Sequence, residues 1–493
     1  MGAPRLRDAL RRLDGRLPWR RREAARRTVL AEARGADEAA RVHAAKVAAI
    51  VGQLRSYRGP GPVSLRKRAV AHQVPKRGDL RRKDAKIDVS ALTSILEIDP
   101  ARRICVAESG VTFVDLVAAT LRYGLVPIVV PELETITIGG AVAGCSIESM
   151  SYRFGGFHDT CLEYEVITAT GEVLTCAPDN DNALVFQMVH GAFGTLGIIS
   201  KLTFRLIPAK PYVRVRYERY SSFDDYMAAI RQVYDARHPG EGAGEGAGGR
   251  GRYADVDFMD GIIHSPTECI LSLGTFVDEA PYTSDYSWMK IYYESTRRLG
   301  EDYLRTADYF FRYNRGVTNV RPRALPLRAL LGWYLDSTKV LRIADRLNWL
   351  LPSERPTVTL DVFLPISRAP GFLRWYTEEF GYFPLWCVPY RRVRNYEWIA
   401  DAWFEGMEDP LFVDLAVYGM RQAKGRNAHR IMEEGLVRHG GIKTLIAHNY
   451  YEEAEFWTIW NQPNYAAVKA RTDPRNLFRD LYAKTCRAAR GVE

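Results

Sequence analysis

Long apolar runs are missing from this 493-residue chain: nothing approaches the roughly 18 uninterrupted apolar residues that a membrane-spanning helix needs. The densest run, GLVPIVVP from Gly124 to Pro131, is short and carries prolines, so it reads as a buried strand. Cysteine is sparse and unpaired. The seven residues Cys105, Cys145, Cys161, Cys176, Cys269, Cys387 and Cys486 are odd in number and include no CxxC, which excludes a regular disulfide framework or thiolate zinc site and suits buried free thiols in a reducing compartment. HExxH and a Walker phosphate loop are absent, so no metal site is expected. The arginine-rich start has no apolar core of a signal peptide, and a cytoplasmic location is expected.

Charge is present and unevenly spread. The net charge of +10 is concentrated in residues 1–35, where Arg5, Arg7, Arg11, Arg12, Arg16, Arg20, Arg21, Arg22, Arg26 and Arg27 face only Asp8, Asp14 and Glu23. Leu6, Leu10, Leu13 and Leu17 recur between them at helical spacing, with Trp19 just beyond. Such a basic amphipathic segment suits peripheral attachment to an anionic membrane surface, each nearby Lys or Arg contributing about 1 kcal/mol. A solvated tail is the other use of the pattern. No nucleic-acid module follows, so no nucleic-acid partner is expected. The hydrophobic fraction of 47% and charged fraction of 26% are those of a soluble globular protein.

The most informative stretch runs from Pro131 to Gly197. PELETITIGGAVAG places Gly139, Gly140 and Gly144 where the backbone can turn tightly and approach a bulky anion. EYEVITATGEVL alternates branched and polar residues around Thr170-Gly171, a hairpin signal, and GTLGIISKLTFRL reads as a glycine turn feeding a strand. A helix is expected from Asp37 to Tyr57, ended by Gly59-Pro60-Gly61-Pro62. Another is expected over TFVDLVAATLRYG, begun by Thr112 with Asp115 in its first turn and ended at Gly124. Strands are expected at VSLRK, RICVAESG, VRVRYERY, YADVDFMDGIIH, TVTLDVFLPIS, FPLWCVPYRRV and DLAVYGM, and a helix over SSFDDYMAAIRQVYDAR. The GxGxxG at Gly244, Gly246 and Gly249 sits in low-complexity PGEGAGEGAGGRG without the strand and helix of a dinucleotide site, and reads as a surface loop over 239–251. Between Ser284 and Leu351, aromatics and arginines recur at helical spacing; helix core is the ordinary reading, an apolar lipid channel with arginines at its mouth the other.

Taken together, the ordered motifs from PELETITIGG through GTLGI resemble the FAD-binding domain of the vanillyl-alcohol-oxidase-type flavoproteins. VSLRK, FPLWCVPY and EFWTIWN followed by LYAKTCRAAR extend the likeness to the delta-24-sterol reductases and their bacterial relatives. The resemblance implies an α+β fold: a two-lobed FAD-binding domain over 36–210, a cap with an antiparallel sheet over 211–435, and a C-terminal segment, 436–493, returning to the flavin site. It implies that Pro131, Thr137, Ile138, Gly139, Gly140 and Gly144 line the pyrophosphate, and that Ser146, Glu148, Ser149, Ser151 and Gly155 follow the ribityl chain and ring. Gly194, Thr195, Gly197 and Ile198 would return backbone to the cofactor. The loop after VSLRK lacks the family's usual glycine-rich histidine motif, so FAD bound without a covalent link is expected even though His72 is near.

The activity implied is reduction of an isolated carbon–carbon double bond in a lipid, a methylene-branched fatty acyl chain before a sterol side chain. NADPH, or an electron-donor protein, is implied as the source of electrons. A flavin-dependent oxidase or dehydrogenase of an alcohol or hydroxy acid is the alternative the same fold hosts, and a flavin-binding protein without turnover is a third. Reduction of an alkene needs a re-protonatable acid on the substrate side of the ring. Tyr450 and His448, in IAHNYYEEAEFW with Tyr451, are the candidates; the sterol reductases hold a Tyr where Tyr450 stands, although Ile446 replaces another Tyr found in many of them.

Overall fold

The computed structural model describes residues 36–68, 78–238, 251–286, 290–314, 357–407 and 409–492, with 343 and 347. The basic segment, His72, the GxGxxG glycines and most of the aromatic stretch after 314 lie outside them. A first lobe opens with helix α1 (Ala36–Ser56) and the parallel pair β1 (Val63–Arg66) and β2 (Ala85–Asp88). The alternation of Val47, Ile50 and Leu54 buries one face of α1. Its other anchor is polar: His43 bridges Glu108 (2.9 Å) and Glu165 (2.8 Å), while Lys46 pairs with the fully buried Glu108 at 2.7 Å.

The second lobe is a six-stranded antiparallel sheet built from β3 (Ile95–Asp99), β4 (Ile104–Glu108), β5 (Leu125–Pro127), β6 (Cys161–Ile167), β7 (Val173–Cys176) and β8 (Ile198–Pro208). The order is β3-β4-β8-β6-β7, with β5 pairing the end of β8. Helix α2 (Phe113–Thr120) packs beside it; Thr112 accepts from the Asp115 amide, and Gly124, at φ 65°, ends the turn that follows. The β6–β7 hairpin turns at Gly171, φ 80°. Short α3 (Ile138–Ala143) carries the paired glycines.

At Ala209–Pro211 the chain leaves β8 for a second sheet of eight strands. Its members are β9 (Tyr212–Tyr220), β10 (Phe258–Ser265), β11 (Glu268–Val277), β12 (Glu301–Arg305), β13 (Val358–Pro365), β14 (Leu385–Arg391), β15 (Leu411–Met420) and β16 (Ile442–Lys443). They run in the order β12-β9-β11-β10-β14-β15-β13-β16. Each central strand is apolar on both faces, as a doubly covered sheet requires. Met259, Ile263, Leu385, Cys387, Val413 and Leu415 pack beneath α4 (Phe223–Arg237), α5 (Ala369–Glu379) and α6 (Ala428–Arg438). Phe258, Ile262, Trp386, Val388 and Phe412 point the other way and join the flavin lobe in one core. The stretch EDYLR departs from the helical reading: it is β12, the edge strand beside β9, because alternate Asp302 and Leu304 are buried while Glu301, Tyr303 and Arg305 face outward. The chain ends by packing α7 (Gln462–Thr472) and the turns after it on β1 and the hairpin, through Val63 N–H to Leu477 O (2.9 Å) and Ala169 N–H to Thr472 O (2.8 Å).

All seven cysteines are free and each is fully or partly buried. Among the described residues no group of His, Cys, Asp and Glu could hold a metal ion, and no helix is long and apolar enough to cross a membrane.

Candidate functional site

Glycines shape the turn that begins α3 and line part of the neighbouring cavity, through Gly144 and Gly191. The turn at Ser109 is stitched to the TIGG turn by Ile138 N–H to Val111 O (3.0 Å) and Gly139 N–H to Ser109 O (2.9 Å). A Cβ on Gly139 would lie 2.6 Å from that of Ser109, so this glycine is required by packing. On Gly140 the same atom would meet only Thr137 Oγ1, at 3.0 Å, the oxygen that caps α3. Gly139→Ala is therefore expected to lower the melting temperature. Gly140→Val is expected to leave a folded protein that loses FAD, since its branches enter the open space beside the turn. Circular dichroism melts with flavin absorbance per chain check both; full flavin content in folded Gly140→Val would overturn the assignment.

The remaining motif positions divide. Pro131 and Ile138 are buried, whereas Gly140, Gly144 and Ser146 stay partly exposed. Glu148, Ser149 and Ser151 are closed into the protein: the Ser151 hydroxyl accepts from Glu148 N–H (3.0 Å), Arg312 pairs with Glu148 at 3.1 Å, and Met259 N–H bonds Ser149 O at 2.7 Å. Gly155, at φ 81°, leaves room for Asp159, which a Cβ would meet at 2.4 Å. Gly197, at φ 148°, sits so close to Val166 that a Cβ would lie 2.8 Å away, and Ile198 and Thr195 are buried. Gly194, at φ 70°, is open apart from Leu65 and Lys484 near 4 Å.

That open turn is ringed by ammonium groups. Lys484 donates to Phe193 O (2.6 Å) and Lys469 to Thr195 O (2.9 Å), the latter matched by Asp473 at 2.7 Å. Burial pushes the Lys484 ammonium down to about 7, and Arg81 and Lys67 push it the same way. Lys67, two residues past Leu65, is exposed. The Lys484 and Lys469 ammonium groups on this open turn would suit phosphate oxygens.

Beside Gly144 lies an apolar cavity of about 90 Å³. Ile147 and Phe193 come from the flavin lobe, Phe363, Tyr390 and Phe412 from the cap sheet, and Trp398, Trp403 and Trp460 close it. Few polar groups reach it. His158, 1% exposed, has both ring nitrogens without a hydrogen-bond partner, and burial lowers its pKa, with Arg394 acting the same way against Asp159. Tyr396 donates to Asp159 at 2.9 Å and is hydrogen-bonded to Tyr390. Lys443 is buried against Glu433 at 2.5 Å and donates to His448 O.

His448 and Tyr450 lie together behind Lys443, their rings 5.1 and 5.7 Å from that of His429, and neither lines the cavity. Tyr450 is half-buried under Arg490 (5.1 Å), and burial raises its pKa. Sequence reading passed over three acids, Glu132, Asp361 and Asp414, which do not line the cavity themselves; Asp414 is paired across the strands with the lining residue Phe363. Burial lifts Glu132 to about 7 and Asp361 to about 6, and raises Asp414 well above the carboxylate range. Asp361 and Asp414 each sit singly among apolar residues, in TLDVFLP and LFVDLAV. A lone acid in a buried strand is costly, and that was the available signal.

Residues 42–177 match the family model described as an FAD binding domain. The chain is similar to the Delta(24)-sterol reductase of Homo sapiens, 25% identical over 419 residues that cover 81% of this chain and 77% of that one. It is 24% identical over 442 residues to the Delta(24)-sterol reductase of Arabidopsis thaliana, covering 82% and 77%. Cytokinin dehydrogenase 2 of Oryza sativa subsp. japonica is 28% identical over 239 residues, covering 46% and 40%. The lysine-bearing turn at Gly194, the partly exposed Gly140 and Gly144 and the adjoining apolar cavity suit an FAD-binding domain.

Proposed function

We propose that this chain, a flavin-dependent oxidoreductase of the sterol-reductase type, saturates an isolated carbon–carbon double bond in a lipid, a methylene-branched fatty acyl chain before a sterol side chain. The observation that carries the reading is the cavity, walled by aromatic and aliphatic side chains and lying where the flavin lobe meets the cap. An unactivated alkene carries no polar handle, so burial of its hydrocarbon supplies the binding energy, roughly 25 cal/mol per Å² of apolar surface. The FAD, when bound, supplies hydride at N5. The protein's own part is to hold the diphosphate at Lys484 and Lys469, to exclude water with Trp398, Trp403 and Trp460, and to keep a proton at hand. NADPH is the proposed electron source and FAD is held without a covalent link. The relatives' printed names give Delta(24) sterols as substrates; the basic leucine-striped segment, Leu6 to Trp19, favours a phospholipid-borne acyl chain at the cytoplasmic face of a membrane instead.

Anaerobic mixing tests this. NADPH is expected to bleach the flavin, and vesicles carrying a methylene-branched acyl chain to restore its colour while yielding the methyl-branched product. Restoration by a Delta(24) sterol alone would overturn the choice of lipid. Bleaching by a simple alcohol, without recovery on any alkene, would overturn the reaction type.

A further inference from the structure

Three carboxyl groups converge where the cap sheet looks toward the flavin lobe. Side chains two apart share a strand face, so Asp361 and Phe363 lie together on β13, as do Phe412 and Asp414 on β15. Antiparallel pairing sets Asp414 directly between Phe363 on one neighbour and Val388 on the other. Phe363 and Phe412 are walls of the cavity, so Asp414 stands at its edge. It is 3% exposed, and its Oδ1 has no hydrogen-bond partner. Asp361 is only half-buried and accepts the Tyr418 hydroxyl at 2.6 Å. Its carbonyl takes the N–H of Thr444, which also lines the cavity. Glu132 approaches from the opposite loop, just before the TIGG turn.

We propose that Asp414 donates the proton that completes reduction of the double bond, while Asp361 and Glu132 keep it protonated and return a proton to it from solvent. This rests on the alkene-reductase reading above. The bookkeeping closes with one hydride, whose source is the reduced flavin, and one proton. A new C–H bond forms at one alkene carbon, the π pair shifts to the other, and that carbon takes the proton of Asp414. The carboxylate left behind is re-protonated through Asp361 or Glu132 from solvent.

The charges around the group agree. Burial is the largest influence holding Asp414 neutral, and the neighbouring Asp361 and Glu132 add to it. Arg312 is the cation that acts on Glu132, and Glu148 and Asp260 lie on the far side of that arginine. Tyr418 stays neutral, its pKa raised by burial and by the same carboxyls. A carboxylic acid stabilised in its neutral form at neutral pH can donate, whereas an ordinary aspartate cannot.

The test uses full-length holoenzyme, photoreduced without oxygen, so that no electron donor enters. Asp414→Asn should keep its FAD and its photoreduction, yet be re-oxidised by methylene-branched acyl vesicles about a hundredfold or more slowly than wild type, the range for loss of a general acid. Asp414→Glu should recover part of the rate. Asp361→Asn removes a negative neighbour, so Asp414 ionises more easily and the alkaline fall in rate should move to lower pH. Wild-type-minus-Asp414→Asn infrared difference spectra at neutral pH give a readout that needs no substrate: one buried neutral-carboxyl band, over and above those of Glu132 and Glu148, present in wild type and missing in Asp414→Asn. Absence of that band from wild type overturns the proposal whatever the substrate proves to be. Wild-type re-oxidation in Asp414→Asn with a hundredfold loss in Tyr450→Phe overturns it too and assigns the proton to Tyr450. A wild type whose band is present but which no alkene re-oxidises sinks the alkene-reductase reading, and the proton-donor role with it.

Discussion

Replacing Lys484 with methionine is expected to weaken FAD binding by about 10- to 100-fold, because hydrogen bonds to charged groups contribute roughly 1.5–3 kcal/mol and 1.4 kcal/mol is tenfold. The methionine keeps the length of the side chain and removes the charge beside the Gly194 turn. The pH dependence carries the signature. Without cofactor the ammonium titrates near 7, lowered first by burial and then by Arg81 and Lys67. A diphosphate stabilises the charged form and raises that value, so binding takes up a proton once pH exceeds about 7. Wild-type affinity should therefore decline as pH rises above neutrality, while Lys484→Met binds weakly and without that slope. Lys484→Arg should bind tightly and also lose the slope, since guanidinium does not titrate there. Equilibrium titration of deflavinated protein, followed by FAD fluorescence, measures all three; identical affinities would place the diphosphate elsewhere.

Removal of Arg312 is expected to be the most destabilising single change. Its guanidinium is fully buried, 3.1 Å from Glu148 and 2.9 Å from Asp260, with Tyr309, Tyr313 and Tyr292 against its faces at 4.1, 4.8 and 5.3 Å. Asp260 also accepts from Tyr313 (2.7 Å) and Trp386 (3.0 Å), so one residue ties three elements together. Deleting one partner of a buried ion pair leaves an uncompensated charge and costs about 3–5 kcal/mol. Arg312→Met should thus melt well below wild type at neutral pH. Burial already lifts Glu148 to about 8, and Arg312 is the main influence opposing it. Without the arginine the Glu148 carboxyl is held still higher in the folded state than in the unfolded one. Its contribution is then present at low pH and lost as pH rises, so the deficit in melting temperature should shrink on acidification. An unchanged melting temperature would show that the network contributes little.

Local chemistry made much of the fold legible in advance. The Thr112 cap with Asp115, the stop at Gly124 and the hairpin at Gly171 are short-range arrangements whose hydrogen bonds close within a few residues. The glycine row was visible for the same reason, although its members proved to act differently: Gly139 and Gly197 relieve packing, and Gly140 and Gly194 face open space. Glu148, Ser149 and Ser151, grouped with the cofactor by motif, are drawn inward by Arg312 and β10, partners that lie more than a hundred residues away. EDYLR was misjudged because Tyr303 continues the helical spacing of the aromatics around it, while β9 offered an unpaired edge that only the tertiary structure reveals.

The order of strands, caps and glycine turns, and with it an FAD-binding lobe followed by an antiparallel cap, was determined by the sequence alone, because those signals depend on neighbours along the chain. Only the tertiary structure decided which groups share the site. Leu65 and Lys484 meet at Gly194 from opposite ends of the chain, and Glu132, Asp361 and Asp414 act on one another from three separate elements. The physical reason is that the ionisation of a side chain is set by what surrounds it in space. Burial and like charges lower the pKa of Lys484 and raise those of Glu132, Asp361 and Asp414, and neither shift is written in any one stretch of residues.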